Sequence, residues 1–257
     1  MGIKYNVDSN FFKAWSPEMS YVLGFVTADG SLEDAPYLRG KYLRVCSSDI
    51  EIMQKIKLIM DSEHYITVIK PKEFLSRGKK YIWREKYVLR IGSHTIYNDL
   101  IKLGITPNKS KTIRFLDVPP EFLLYFIRGY LDGDGCIYCY KKKKRLMVVF
   151  TSGSKEFLQG LSQAISGHYG IKQHNIVYSN RTFQLRYSTK EAVILLRNIY
   201  ASPLNCLFLS RKYNAYLNFL QDYPKWRENK FDGVVPKRSR ELSAKQLFTG
   251  SIPVHAS

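Results

Sequence analysis

Arg128-Gly129-Tyr130-Leu131-Asp132-Gly133-Asp134-Gly135 decides the fold, because Leu23-Gly24-Phe25-Val26-Thr27-Ala28-Asp29-Gly30 repeats its pattern earlier in the chain. Each copy runs from an apolar segment into an aspartate held between small residues. The copies align without gaps at an offset of 105 (134 − 29), and the same offset carries Ser47, Glu51 and Gln54 onto Ser152, Glu156 and Gln159. A period this long marks two copies of one domain rather than a solenoid. Gly24 and Ala28, like Gly129 and Gly133, stand at i and i+4, on one face of a helix. Side chains this small let two helix backbones come closer than ridge-into-groove packing allows. If the copies meet there, Asp29 and Asp134 lie side by side at the negative ends of both helices, where each carboxylate repels the other. A hard divalent cation held by oxygen ligands is the natural compensation.

The 257 residues carry 40 lysines and arginines against 22 acids, a formal charge of +18. That excess favours a polyanion, nucleic acid before an anionic membrane surface. Membrane binding is not expected, since the chain shows no basic amphipathic helix, lipid signal or apolar run of spanning length. No signal peptide is read at the N-terminus, so the expected location is a DNA-containing compartment inside the cell, an organelle matrix or a prokaryotic cytoplasm. The four cysteines, Cys46, Cys136, Cys139 and Cys206, are too scattered for a disulfide framework and read as small hydrophobes. The histidines show no metal spacing.

Elements follow the motifs in the same order twice. Ser16-Pro17-Glu18 starts a helix that should stop at Gly30 in a left-handed cap; Pro119-Pro120-Glu121 and Gly135 repeat the arrangement. In copy one, strand 42–47, helix 49–60, a hairpin of 66–69 with 81–91, and helix 95–103 follow. In copy two, hairpin 136–140/146–151 precedes helix 156–165, strands 176–179 and 182–188, and helices 191–200 and 212–220. The expected class is α+β, two pseudo-symmetric αββαββα repeats whose antiparallel, saddle-shaped sheets pack through the motif helices. The boundaries read as 1–112 for the first repeat with its lead-in, 113–222 for the second, and 223–257 for a basic, flexible tail.

These residues carry a family resemblance. Segments 23–29 and 127–134 resemble the two signature motifs of the LAGLIDADG homing endonucleases in their single-chain form; Thr27 departs from the pattern where an acid often stands. The resemblance implies an intron-encoded, monomeric, Mg²⁺-dependent enzyme that cuts both DNA strands across the minor groove and leaves short 3′ overhangs. It implies metal between Asp29 and Asp134, with the Ala28 and Gly133 carbonyls as weaker ligands and Mn²⁺ or Ca²⁺ as substitutes. It also places a basic residue near each scissile phosphate: Lys109 in copy one, and Lys212 or Arg211 in copy two.

The strands supply a reading surface. Segment 81–91 alternates, with Trp83, Tyr87, Leu89 and Ile91 on one side and Arg84, Lys86 and Arg90 on the other. Segment 182–188 does the same, setting Gln184, Arg186 and Ser188 opposite apolar residues. Arginine and glutamine read guanine and adenine edges in the major groove, so these positions, with Arg44, Tyr138 and Tyr140, are expected to face DNA. Lys142 and Lys143, in the basic run 141–145, would meet phosphates. The expected partner is double-stranded DNA with a long, pseudo-palindromic target. The alternative is an intron RNA splicing cofactor (maturase) or a non-catalytic DNA-binding regulator on the same fold, neither of which needs two crowded carboxylates. An enzyme embedded in an intein is disfavoured, because the chain opens at Met1 and closes Val254-His255-Ala256-Ser257.

Overall fold

The structure, a computed structural model, describes residues 5–35, 40–76, 78–201 and 207–228. At its centre lie two helices, α1 (Pro17–Asp29) and α4 (Leu123–Asp134). The Ser16 hydroxyl caps α1 by accepting from the Met19 amide at 3.0 Å, and Pro17 fills the first turn. Every residue of α1 from Met19 to Thr27 is buried. A helix apolar on all sides belongs in a core, not on a surface.

The two glycine pairs bring these helices together. A Cβ on Gly24 would overlap the carbonyl of Phe126, and one on Gly129 would overlap the carbonyl of Tyr21. Phe126 stands at the same offset from Tyr21 as Gly129 does from Gly24, so the contact obeys the pseudo-twofold of the sequence. Val22, Phe25 and Val26 of α1 join Phe126, Ile127 and Leu131 of α4 in one core cluster shared by both halves.

Around α1 the first half adds β1 (Gly30–Ala35), β2 (Gly40–Ser47), α2 (Ile50–Ile59), β3 (Ile66–Ile69), β4 (Lys72–Ser76), β5 (Lys79–Trp83), β6 (Lys86–Gly92) and α3 (His94–Lys102). Around α4 the second adds β7 (Gly135–Tyr140), β8 (Arg145–Ser152), α5 (Lys155–Tyr169), β9 (Val177–Ser179), β10 (Thr182–Ser188) and α6 (Thr189–Ile199). Helices α7 (Ser210–Asp222) and α8 (Lys225–Glu228) follow. The antiparallel four-stranded sheets have matching orders, β1-β2-β6-β3 and β7-β8-β10-β9. The expected α+β class and doubled order are therefore present. Among the described residues no helix is long and apolar enough to cross a membrane.

Four expectations need correction. Gly30 and Gly135 are not left-handed caps; their φ,ψ of −97°,155° and −96°,164° are extended, and each opens a strand. Glycine is needed there for space, because a Cβ would press on the Val26 or Leu131 carbonyl of the last helical turn. Helix α4 begins at Leu123, after a turn closed by the Phe122 amide on the Pro119 carbonyl at 2.9 Å. Segment 81–91 is two strands, so Trp83 lies on β5, and β4 and β5 form a separate ribbon inserted between β3 and β6. The first strand that the αββαββα order requires had no assigned position in copy one; it is β1, of composition Gly-Ser-Leu-Glu-Asp-Ala. Of the C-terminal segment, Lys225–Glu228 is helical, while residues 229–257 and Cys206 lie outside the described residues.

Candidate active site and nucleic-acid interface

Both motif helices end in their aspartates and turn at once into strands. The Asp29 carboxylate crosses towards the partner helix, its Oδ2 lying 3.4 Å from where a Gly133 Cβ would stand. Burial raises its pKa to about 7, assisted by the negative charge of Asp134. Burial raises Asp134 as well, opposed by the ammonium groups of Lys109 and Lys212. Two carboxyls thus share a desolvated site that resists their ionisation, and the only nearby charges that ease it are cationic.

The lysines hold equivalent posts. Lys109 donates from Nζ to the Gly30 carbonyl at 2.5 Å, and Lys212 to the Gly135 carbonyl at 2.7 Å. Those two glycines are motif equivalents. Lys212 also donates to the Leu131 and Asp132 carbonyls at 2.6 and 2.7 Å, binding the negative end of α4. Both lysines are almost fully buried, and burial pulls both pKa values below the ordinary lysine value. They are not solvated surface cations. Arg211, the other sequence candidate, points away and grips Asp49 with two parallel bonds, Nε–Oδ1 at 3.0 Å and Nη2–Oδ2 at 2.9 Å.

The segments carrying the lysines are pinned across the pseudo-twofold. Lys109 sits in a short 3₁₀ turn (Lys109–Lys111), and the carbonyl of nearby Ile113 accepts from the Ser154 hydroxyl at 2.6 Å, the N-cap of α5 in the second half. Conversely, α7 docks on α2 of the first half. Arg211 grips Asp49, the N-cap of α2; Ser210 bonds Glu51; and Lys55 donates to the Phe208 carbonyl at 3.2 Å. Each lysine serves one half's motif helix while its own segment is fixed to the other half.

Several contributors escaped the sequence reading. Thr151 donates from Oγ1 to the Asp134 carbonyl at 2.7 Å, tying β8 to the end of α4. Asp132 is buried and is not at the carboxylate pair. Its Oδ2 accepts from the Tyr21 hydroxyl at 2.7 Å and from the Leu209 amide at 2.9 Å, at the start of α7. Thr27, its counterpart, turns back onto its own helix at the Leu23 carbonyl. Spacing in the sequence gave no hint of the Asp132 partners, which lie 111 and 77 residues away along the chain.

The outward faces of the sheets differ. In the first sheet Leu43, Val45, Leu89 and Ile91 point to the core, leaving Arg44 and Arg90 opposite each other on the outer face. Glu33 of β1 binds Arg90 at 2.8 Å and Arg44 at 3.8 Å, and the Arg90 guanidinium lies over the Tyr42 ring at 3.5 Å. Lys86 shares this face, but exposed Arg84 sits between β5 and β6, off the four-stranded sheet. In the second sheet Leu185 and Tyr187 are buried, while Gln184, Arg186 and Ser188 alternate outward; Arg186 donates from Nε to Gln184 at 2.9 Å. Tyr138 and Tyr140 are half-exposed on β7, and Lys142 and Lys143 lie exposed on the turn that follows.

Residues 121–200 match the family model described as a LAGLIDADG-like domain. That match falls within the second half and includes its motif helix. Apart from the inserted β4–β5 ribbon, the first half repeats its element order and strand order around its own motif helix. The fold is that of the LAGLIDADG homing endonucleases: the solved homing endonuclease I-WcaI, bound to its DNA recognition sequence, superposes with a TM-score of 0.55 at 14% identity, over 80% of this chain and 90% of that one. Two curated proteins of Methanocaldococcus jannaschii are also similar. The DNA-directed RNA polymerase subunit Rpo1C is 28% identical over 149 residues, 56% of this chain and 15% of that protein. The probable translation initiation factor IF-2 is 26% identical over 191 residues, 70% of this chain and 14% of that protein. This chain therefore spans a small fraction of either relative.

Proposed function

We propose that this chain is a site-specific endonuclease of double-stranded DNA that cuts both strands with divalent metal, Mg²⁺ in the cell, held between Asp29 and Asp134. The observation that carries this reading is the pairing of two desolvated carboxyls at the ends of helices packed backbone to backbone. A protein that only bound DNA would gain nothing from that arrangement.

The donor set fits such an ion. Among the described residues no group of three His, Cys, Asp or Glu side chains could hold a metal, so the two aspartates would be the side-chain ligands. The Ala28 and Gly133 carbonyls would add to them, with phosphate oxygens and water completing the set, as Mg²⁺ prefers. Once bound, a divalent cation would neutralise the two carboxylates and supply Lewis-acid activation at a scissile phosphate. Lys109 and Lys212 would keep positive potential at the two strand positions. Their bonds to the Gly30 and Gly135 carbonyls fix where that potential lies. The outer sheet faces would read bases through Arg44, Arg90, Gln184 and Arg186, and Lys142 and Lys143 would add sequence-independent affinity. Cleavage would run across the minor groove and leave short 3′ overhangs.

Selection of cleaved sites from a random duplex library with Mg²⁺ tests the proposal. The recovered duplex should be bound by Asp29→Asn and Asp134→Asn with little change, while their double-strand cutting falls on the order of a thousandfold or more. Undiminished cutting by either variant would remove the site assignment. Binding without any Mg²⁺-dependent cutting by the unaltered chain would leave a non-catalytic binder.

A further inference from the structure

The halves differ most where their third and fourth sheet strands connect. In the second half, β9 turns into β10 through Asn180 and Arg181 alone, with φ of 52° and 64°, the two positive values that a type I′ hairpin turn requires. The matching pair in the first half, Ile69 opposite Lys86, is closed instead by residues 70–85, which form the β4–β5 ribbon. The ribbon is an insertion into a connection that the fold can close with two residues.

Its surface is unusual. Leu75 and Ile82 are 78% and 63% exposed. Lys72, Lys80 and Arg84 are exposed as well. Residues 70–85 hold six lysines and arginines against two glutamates, a formal +4. A lone two-stranded ribbon is marginal in water and gains stability when it lies on something. Its root fixes where that could be. Gly30 pairs with Val45, and Val45 with Leu89, so Lys86 lies at the end of the sheet where the motif helix delivers Asp29. The Lys86 charge is felt at Asp29.

We infer that the Lys72–Trp83 ribbon is a one-sided arm that lies along the target duplex beside the cleavage centre, on the first half's side only. This rests on the DNA-cleaving reading above and adds to it a contact that the second half lacks. The major groove admits a two-stranded β-ribbon, phosphates match the lysines, and thymine methyls match exposed aliphatic side chains. Strands of five residues, rising about 3.4 Å each, reach about 17 Å, or about five base pairs.

The test uses the duplex selected by the full chain, in Ca²⁺ to hold binding apart from cutting. Two variants are compared with the unaltered protein: residues 70–85 replaced by Asn-Gly, the turn type of the second half, and Lys72→Glu/Arg84→Glu with the ribbon intact. Hydroxyl-radical footprinting should show protection lost over about five base pairs on one side of the centre, with the other side unchanged. The slope of log affinity against log salt should fall by about 2 for the charge-reversed protein, and affinity at physiological salt by about tenfold or more. An unchanged footprint and slope in the charge-reversed protein would overturn the arm while leaving the endonuclease reading intact. A unaltered chain that protects no duplex would instead overturn the reading beneath it. Loss of protection on both sides equally would also overturn the one-sided arm.

Discussion

The two halves share a helix contact to the level of individual backbone atoms, yet they complete their sites with different side chains. Gly24 meets Phe126 as Gly129 meets Tyr21, and Lys109 and Lys212 cap equivalent carbonyls. Away from that seam the symmetry lapses. Asp132 reaches across to Tyr21 and to α7, whereas Thr27 bonds within its own helix. Glu33 gathers Arg44 and Arg90, while Arg186 leans on neutral Gln184. The aspartates hold the same position in both halves; the surroundings that hold them, and the surfaces that flank them, differ.

The strongest way to break this comparison is to attack the part held in common. Gly24→Val and Gly129→Val should each destabilise by on the order of 5 kcal/mol or prevent folding, because each side chain would enter the facing helix's backbone. Urea unfolding should give the two variants similar losses. A mild loss at either position would mean the seam can slide.

The pH dependence sharpens the comparison at the carboxylates. With its pKa raised from 3.8 to about 7, Asp29 keeps its proton in the folded state after the unfolded chain has lost it. In chelator, stability should therefore fall as pH rises from about 4 to about 7, by up to about 4 kcal/mol. Asp29→Asn should remove its share of that fall and be the more stable protein at pH 8 without metal. Thermal melts across pH would show it; parallel curves for the two proteins would contradict the burial of Asp29.

The smallest effect should expose the lapse in symmetry. Asp132→Asn should cost about 2 kcal/mol, since a buried carboxylate with two donors is replaced by an amide. Thr27→Val, which gives up one bond inside a helix, should cost under about 1 kcal/mol. Equal costs would make the Asp132 bridge to α7 irrelevant.

Much of this was legible because the motif combines a helical period with a demand for small residues. Gly24, Ala28, Gly129 and Gly133 announced a helix seam, and a seam placed the aspartates. Strand β1 was hidden because Gly-Ser-Leu-Glu-Asp-Ala has the composition of a turn, and with it went Glu33. The ribbon was hidden because alternation continues from Tyr81 through Ile91 across a break at Arg84 and Glu85 that polarity does not mark. Lys109 and Lys212 could be nominated but not distinguished from surface cations, since burial is settled by segments more than 75 residues away, as the separations of 79 and 77 from Gly30 and Gly135 show.

The crossed pinning of the lysine segments has a consequence for the order in which the molecule is built. Translation delivers α1 and its aspartate first and α7, with Lys212, only after both sheets have emerged. Helix α7 is fastened to α2, made long before, and closes the end of α4. A nascent or broken chain that lacks this last clasp holds both aspartates but only one of the two lysines that cap the Gly30 and Gly135 carbonyls. Both lysines would thus stand at the carboxylate pair only once α7 has docked, so the site is completed by this late helix rather than by the motifs themselves.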